Sequence, residues 1–243
     1  MDMLLVFYIL LFLVAMLYAS VGHGGASGYL ALMAIFSFSP AIMKPTALLL
    51  NLFVSLVSFI HFYRQRFFLW RTFLPLAAAS IPLSFVGGMI SLEESLYKKI
   101  LGLILLFAAI RFFFAKYDEV DSKKEHSIAL SLLIGGSIGF LSGMMGIGGG
   151  IILSPVLLLL RWTDQKQTAA ISSIFIFVNS VAGLGGQFIH GISFTPNMVG
   201  FVAVAFAGGL VGAWLGAAKF KQSILRNILA CALVVASCKL LLT

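Results

Sequence analysis

MMGIGGG, residues 144–150, puts four glycines into seven positions between two apolar runs. Glycine clusters often cradle phosphate, so nucleotide binding is the first reading to test. A P-loop needs the pattern GxxxxGK[ST], and no lysine follows these glycines. A dinucleotide fold needs a strand before the glycines and a soluble βαβ unit around them. The flanking runs are apolar and helical in length instead. The cluster therefore reads as a break inside a membrane protein, where glycine lets backbone come close to a ligand or to another helix.

The rest of the chain agrees with that setting. Of 243 residues, 61% are hydrophobic and 10% charged. A soluble domain is about half apolar and about a quarter charged. The fold class is therefore an all-α polytopic membrane protein. A β-barrel would need short alternating strands, and the sequence lacks that alternation. The apolar segments number about ten: 3–20, 24–37, 41–63, 72–91, 95–115, 128–145, 148–160, 167–189, 195–218 and 222–242. The second and seventh are short, near 21 Å at about 1.5 Å per residue, against a hydrocarbon core of about 30 Å. Met3–Ser20 has the length of a signal peptide but neither a basic flank nor a cleavage site, so it is read as a retained helix. Cys231 and Cys238 lie on one helix, roughly 10 Å apart, too far to pair with each other. They read as small packing residues.

The two halves repeat. YASVGHGGAS (18–27) aligns with LSGMMGIGGG (141–150), placing Gly22 on Gly146, Gly24 on Gly148 and Gly25 on Gly149. The expected organisation is a five-segment repeat over 1–116, a cytoplasmic linker over 117–127 and a second repeat over 128–243. Five is odd, so the second repeat enters from the opposite side. That is an inverted 5+5 repeat, a construction common among secondary transporters. Counting alternately, twelve of the sixteen Lys and Arg residues fall on the side of Arg64, Arg66 and Arg71; the other side holds Lys44, Lys98, Lys99 and Lys239. The positive-inside rule makes the first side cytoplasmic and both termini extracytoplasmic. The net charge of +8 is thus about orientation and not nucleic acid.

Each glycine cluster sits between a long segment and a short one, making two broken-helix hairpins. Their tips are expected to meet near the midplane. Free N–H groups and the positive end of a helix dipole at each tip suit an anion. Close helix packing through small residues is the alternative, and it is the favoured reading for Gly208, Gly212 and Gly216. The candidate binding residues are Ser20, Gly22, His23, Gly24, Gly25 and Ser27 at the first tip, and Ser142, Gly146, Gly148, Gly149 and Gly150 at the second. Asn51 in the third segment joins them, with Ser172, Ser173 and Asn179 in its counterpart, the eighth. For the serines, bonding to their own helix is the competing reading, and for the asparagines it is interhelical bonding. His23 is open to three roles: donor to an anion, proton carrier, or partner of a backbone carbonyl. All eight acidic residues lie at the N-terminus or in loops, so no carboxylate relay is expected within a span.

SGMMGIGGGIILSPVLLL (142–159), its counterpart SVGHGGASGYLAL (20–32) and the five-plus-five layout resemble the TauE/SafE family of membrane transporters, the sulfite exporters. The resemblance covers essentially the whole chain. It implies a carrier of small sulfur-containing anions: sulfite, sulfonates such as sulfoacetate, or related organosulfur compounds. It implies a multi-pass protein of the cell (inner) membrane, with lipid and a small anion as partners. This chain departs from the glycine pattern at His23 and Ala26, where the second half has Ile147 and Gly150. A passive anion channel, a carrier of a different small anion, and a subunit of a larger complex are the competing readings. An enzyme would need a nucleophile–base pair or a ligand cluster, and neither is evident. No catalytic residue, metal site or cofactor is expected. Coupling to protons or sodium stays open, as does a homodimer, for which the Gly208–Gly216 face is one surface.

Overall fold

The computed structural model describes residues 3–20, 24–114, 127–189, 191–192, 195–216 and 222–242. These form ten α-helices and, among the described residues, no strand. In chain order they are α1 (Met3–Ser20), α2 (Ala26–Ile35), α3 (Pro40–Arg64), α4 (Trp70–Gly88), α5 (Glu94–Phe114), α6 (Ile128–Met145), α7 (Gly150–Leu159), α8 (Gln165–Phe188), α9 (Asn197–Gly216) and α10 (Gln222–Leu242). Every bound lies within three residues of the expected segment. Most of the expected linker lies outside the described residues.

The molecule has its polarity inside out. Leu133 is 66% exposed and Trp214 75%, whereas Asn51, Ser55, Ser58, Ser80, Ser84, Ser142, Asn179 and Ser180 are fully buried. In water such an arrangement would expose a continuous apolar surface, which soluble monomers avoid. In lipid it is the stable one, because polar groups shun hydrocarbon and seek each other. Helices α1, α3, α6, α8 and α9 are long and apolar enough to cross a bilayer. By contrast α2 and α7 have ten residues each, about 15 Å of helix.

Helix α1 packs on α9 and α6 on α4; α3 packs on α9 and α8 on α4; α3 meets α8, and α5 meets α10. Exchanging each helix for the one five places along maps this set of pairs onto itself. Two seams are made backbone to backbone. Gly135, Gly139 and Gly143 of α6 press against the carbonyls of Leu76, Ser80 and Ser84 in α4. Gly208 and Gly212 of α9 press against those of Phe12 and Met16 in α1. Without a hydrophobic drive between helices in lipid, such close approach supplies the dispersion contact that holds them. The packing reading of Gly208 and Gly212 is thus met within one chain. Their face is covered by α1, which corrects the expectation that it offers a dimer surface.

A second correction concerns the cysteines. Seven residues are close to two helical turns, so Cys231 and Cys238 share one side of α10. That side faces outward, and both are exposed free thiols rather than packing residues.

Candidate functional site

The chain breaks twice in the same way. Helix α1 stops at Ser20, and α2 starts after Gly25, which stands at φ 95°. Helix α6 stops at Met145, and Gly146 closes it at φ 79° with its N–H donating to Ser142 O at 2.8 Å. Helix α7 then starts after Gly149 at φ 80°. An L side chain in this left-handed region costs about 1–2 kcal/mol, which is why glycine occupies both N-cap positions.

Neither α2 nor α7 has a side-chain cap. Helix α8 shows the contrast. There Asp164 Oδ1 accepts from Gln167 N at 2.9 Å, and Asp164 N donates to Gln167 Oε1 at 3.2 Å. The helix start with a capping box has its first N–H groups satisfied. The two glycine starts leave theirs to whatever lies in front of them.

Beside both breaks lies Asn51. A Cβ built on Gly24 would stand 2.8 Å from Asn51 Oδ1 and 3.2 Å from Ser55 Cβ. One built on Gly148 would stand 2.5 Å from Asn51 Nδ2 and 3.3 Å from Ser180 Oγ. A single amide in the middle of α3 therefore separates the two glycine breaks. Ile176 of α8 closes the same gap, 2.8 Å from the Gly24 position and 2.9 Å from that of Gly148. Asn51 Nδ2 donates to Ser180 Oγ over 3.4 Å, and Asn51 Oδ1 has no partner. Ser55 Oγ, Ser142 Oγ and Tyr29 OH are likewise buried without a partner. Tyr29 leans over the first break: its hydroxyl stands 2.6 Å from the Cβ position of Gly25.

The remaining expected residues have contacts of their own, although Asn179 Oδ1, like Asn51 Oδ1, has no partner. Ser20 Oγ donates to Leu17 O at 2.7 Å, and Ser173 Oγ to Ala169 O at 2.7 Å, both within their own helices. Ser27 shares a hydrogen bond with Tyr18 OH at 2.8 Å, and Ser172 with Ser154 at 2.8 Å. Asn179 Nδ2 donates to Phe175 O at 2.8 Å and to Ser80 Oγ at 3.1 Å, while Ser84 Oγ donates to Asn179 O at 2.8 Å. That is an α4–α8 tie. Gly150 packs against Ile176. Gly22 and His23 lie outside the described residues. Tyr29, Ser55 and Ser180 belong to the cluster although the sequence singled out none of them. The signal available was weak: Ser55 lies four residues after Asn51, on the same helix face, and Tyr29 lies four after Gly25.

Chemically the cluster is neutral and rich in donors. Among the described residues the buried polar side chains are Ser, Thr, Asn and Gln, with the hydroxyls of Tyr18, Tyr29 and Tyr97 beside them, and none is Asp, Glu, His, Lys or Arg. No group of His, Cys, Asp or Glu there could hold a metal. Hydroxyls, an amide and two uncapped helix starts can donate to an oxyanion without a buried cation. An unmet buried donor or acceptor costs about 1–3 kcal/mol, so a ligand that engages these groups also relieves them.

Comparison with known proteins gives the chain its relatives. It is 39% identical over 235 residues, 95% of each chain, to a probable membrane transporter protein of Sinorhizobium fredii. It is 29% identical over 143 residues to one of Methanocaldococcus jannaschii, covering 57% of this chain and 52% of that one. A Bacillus subtilis counterpart is 25% identical over 185 residues, 69% of this chain and 73% of its own. No solved structure matches the chain significantly. The model of the sulfite exporter TauE/SafE family matches residues 7–240, and the chain belongs to that family of membrane transporters.

Proposed function

We propose that the protein is a secondary transporter that binds a small sulfur-containing anion between its two glycine-rich helix starts and carries it across the inner (cell) membrane. The observation that carries this reading is the Asn51 amide, standing between Gly24 and Gly148 with unpartnered hydroxyls around it. An anion in that place receives N–H groups from two helix starts, each at the positive end of its dipole. The absence of buried carboxylates among the described residues supports an anionic solute over a cation. Sulfite is the solute that the family's description names, and we extend the class to sulfonates and related organosulfur anions, which carry the same oxyanion chemistry. The two halves act as an inverted repeat, with both termini outside. The exchange of packing partners between helices five places apart and the charge bias between loops support this. Transport then proceeds as one half rocks against the other around the bound anion.

The test is ligand-dependent stabilisation of the purified protein in detergent. Sulfite, thiosulfate, sulfate, sulfoacetate, taurine, chloride and acetate are compared, with and without sodium and at two pH values. A ligand at a hundred times its Kd adds about 2.7 kcal/mol of stability. A saturable shift with one sulfur anion is expected, and it should vanish in Asn51→Leu. A chain stabilised by carboxylates and by no sulfur anion would refute the substrate class.

A further inference from the structure

We infer that the protein has a second anion subsite, a surface pocket on Lys44 that holds a small oxyanion about two turns of α3 away from Asn51. The ligand's class rests on the carrier reading; the geometry does not. The pocket has a volume of about 240 Å3 and lies where α3 and α5 begin and α4 and α8 end. At about 30 Å3 per water it holds roughly eight waters, room for a small hydrated oxyanion. Ala41, Ser91 and Gly191 on its lining are exposed, so it opens to the surface.

Lys44 is half-buried on that lining, the one Lys or Arg among its described residues. Its ammonium donates to Ile90 O at 3.2 Å and stands 5.9 Å from the centre of the Tyr97 ring. An ammonium has three donors, and an anion in the pocket can take those that Ile90 leaves. Gln187 supplies the second feature. It is 9% exposed, lines the same pocket, and its Nε2 donor has no partner. Among the described residues no carboxylate lines the pocket; Glu94, at the start of α5, is paired with Lys98 at 3.0 Å.

The pocket backs onto the second glycine break. Tyr97 OH donates to Met145 O at 3.0 Å, and a Cβ on Gly146 would stand 3.1 Å from Lys44 Cα. The repeat sharpens the point. KPTA (44–47) recurs as KQTA (166–169), yet Lys166 is exposed, with its ammonium 5.0 Å from the centre of the Phe67 ring. Lys44 is the one of the pair drawn into a pocket. By the charge bias this end of α3 faces outward, so the subsite receives the anion on its way between the medium and Asn51.

The test is charge-selective labelling of the full chain. Ser91→Cys is made with Cys231→Ala and Cys238→Ala, which remove the two exposed thiols. An anionic sulfonate-bearing thiosulfonate reagent is compared with its cationic trimethylammonium analogue, every rate being taken relative to that reagent's rate with a small free thiol, because the cationic reagent is intrinsically the faster. A focused positive charge raises the local concentration of an anion by about tenfold or more. The anionic reagent should therefore react about tenfold faster, and sulfate or methanesulfonate should slow it. Lys44→Gln, which keeps a donor for Ile90 O, should abolish the preference. Lys44→Arg and the nearby Lys99→Gln should both keep it. Equal rates for the two reagents, an unreactive thiol, a preference untouched by Lys44→Gln, or one lost in Lys99→Gln would each overturn the proposal. Labelling needs no transport. A preference that persists while no sulfur anion stabilises the protein would sink the sulfur-anion carrier and leave the subsite standing.

Discussion

Replacing Gly148 by alanine is the sharpest test of the site's geometry. Two costs follow, and a second glycine separates them. Gly148 stands at φ 70°, where an alanine costs about 1–2 kcal/mol. Its new methyl would also lie 2.5 Å from Asn51 Nδ2 and 2.9 Å from Ile176 Cγ2. Ile176 meets it with the methyl on its branched Cβ, which is stiff at χ1, and the same side chain is also held against Gly24 and Gly150. Asn51 cannot retreat, because the Gly24 backbone confines its other side. Overpacking of this kind costs about 1–3 kcal/mol, for a total of about 2–5 kcal/mol. Gly191 stands at φ 80° with nothing within 4 Å of its Cβ position. Gly191→Ala should therefore lose the backbone share alone, about 1–2 kcal/mol. The assay is reversible unfolding in mixed micelles, followed by tryptophan fluorescence and circular dichroism. Adding Asn51→Ala to Gly148→Ala should recover about 1 kcal/mol or more through the coupling of the two positions. Equal losses for Gly148→Ala and Gly191→Ala, with no coupling to Asn51, would refute the meeting of the second break with this amide.

Three further changes probe other parts of the argument. Gly139→Ala drives a methyl into Ser80 O, whereas Gly136→Ala meets only the flexible end of Leu83 at 2.8 Å; the first should lose more than about 2 kcal/mol and the second under about 1 kcal/mol in the same unfolding assay. Asp164→Ala removes the capping box of α8 and should cost about 0.5–2 kcal/mol, with ligand-induced stabilisation unchanged. Tyr97→Phe removes the hydroxyl that donates to Met145 O; the loss should be about 0.5–1.5 kcal/mol, and hydrogen exchange should quicken first around Gly146.

What the linear sequence settled is local. Whether a run of residues prefers lipid depends on that run alone, so hydropathy found all ten helices to within three residues at each end. The glycine breaks were legible for the same reason: Gly25 and Gly149, paired by the internal alignment, both stand at positive φ before a ten-residue helix. The tertiary structure decided which polar groups meet. Asn51, Ser172, Ser173 and Asn179 look alike on paper, each polar in an apolar helix. One stands between the breaks, one bonds back along its own helix, one ties α8 to α7 and one ties α8 to α4. Lys44 read as an orientation signal, and only the approach of α5 and the end of α8 encloses it in a pocket. A side chain's solvent preference is written in its own residue type. Its partners come from helices dozens of residues away, and their identity exists only once the glycine seams have brought those helices together.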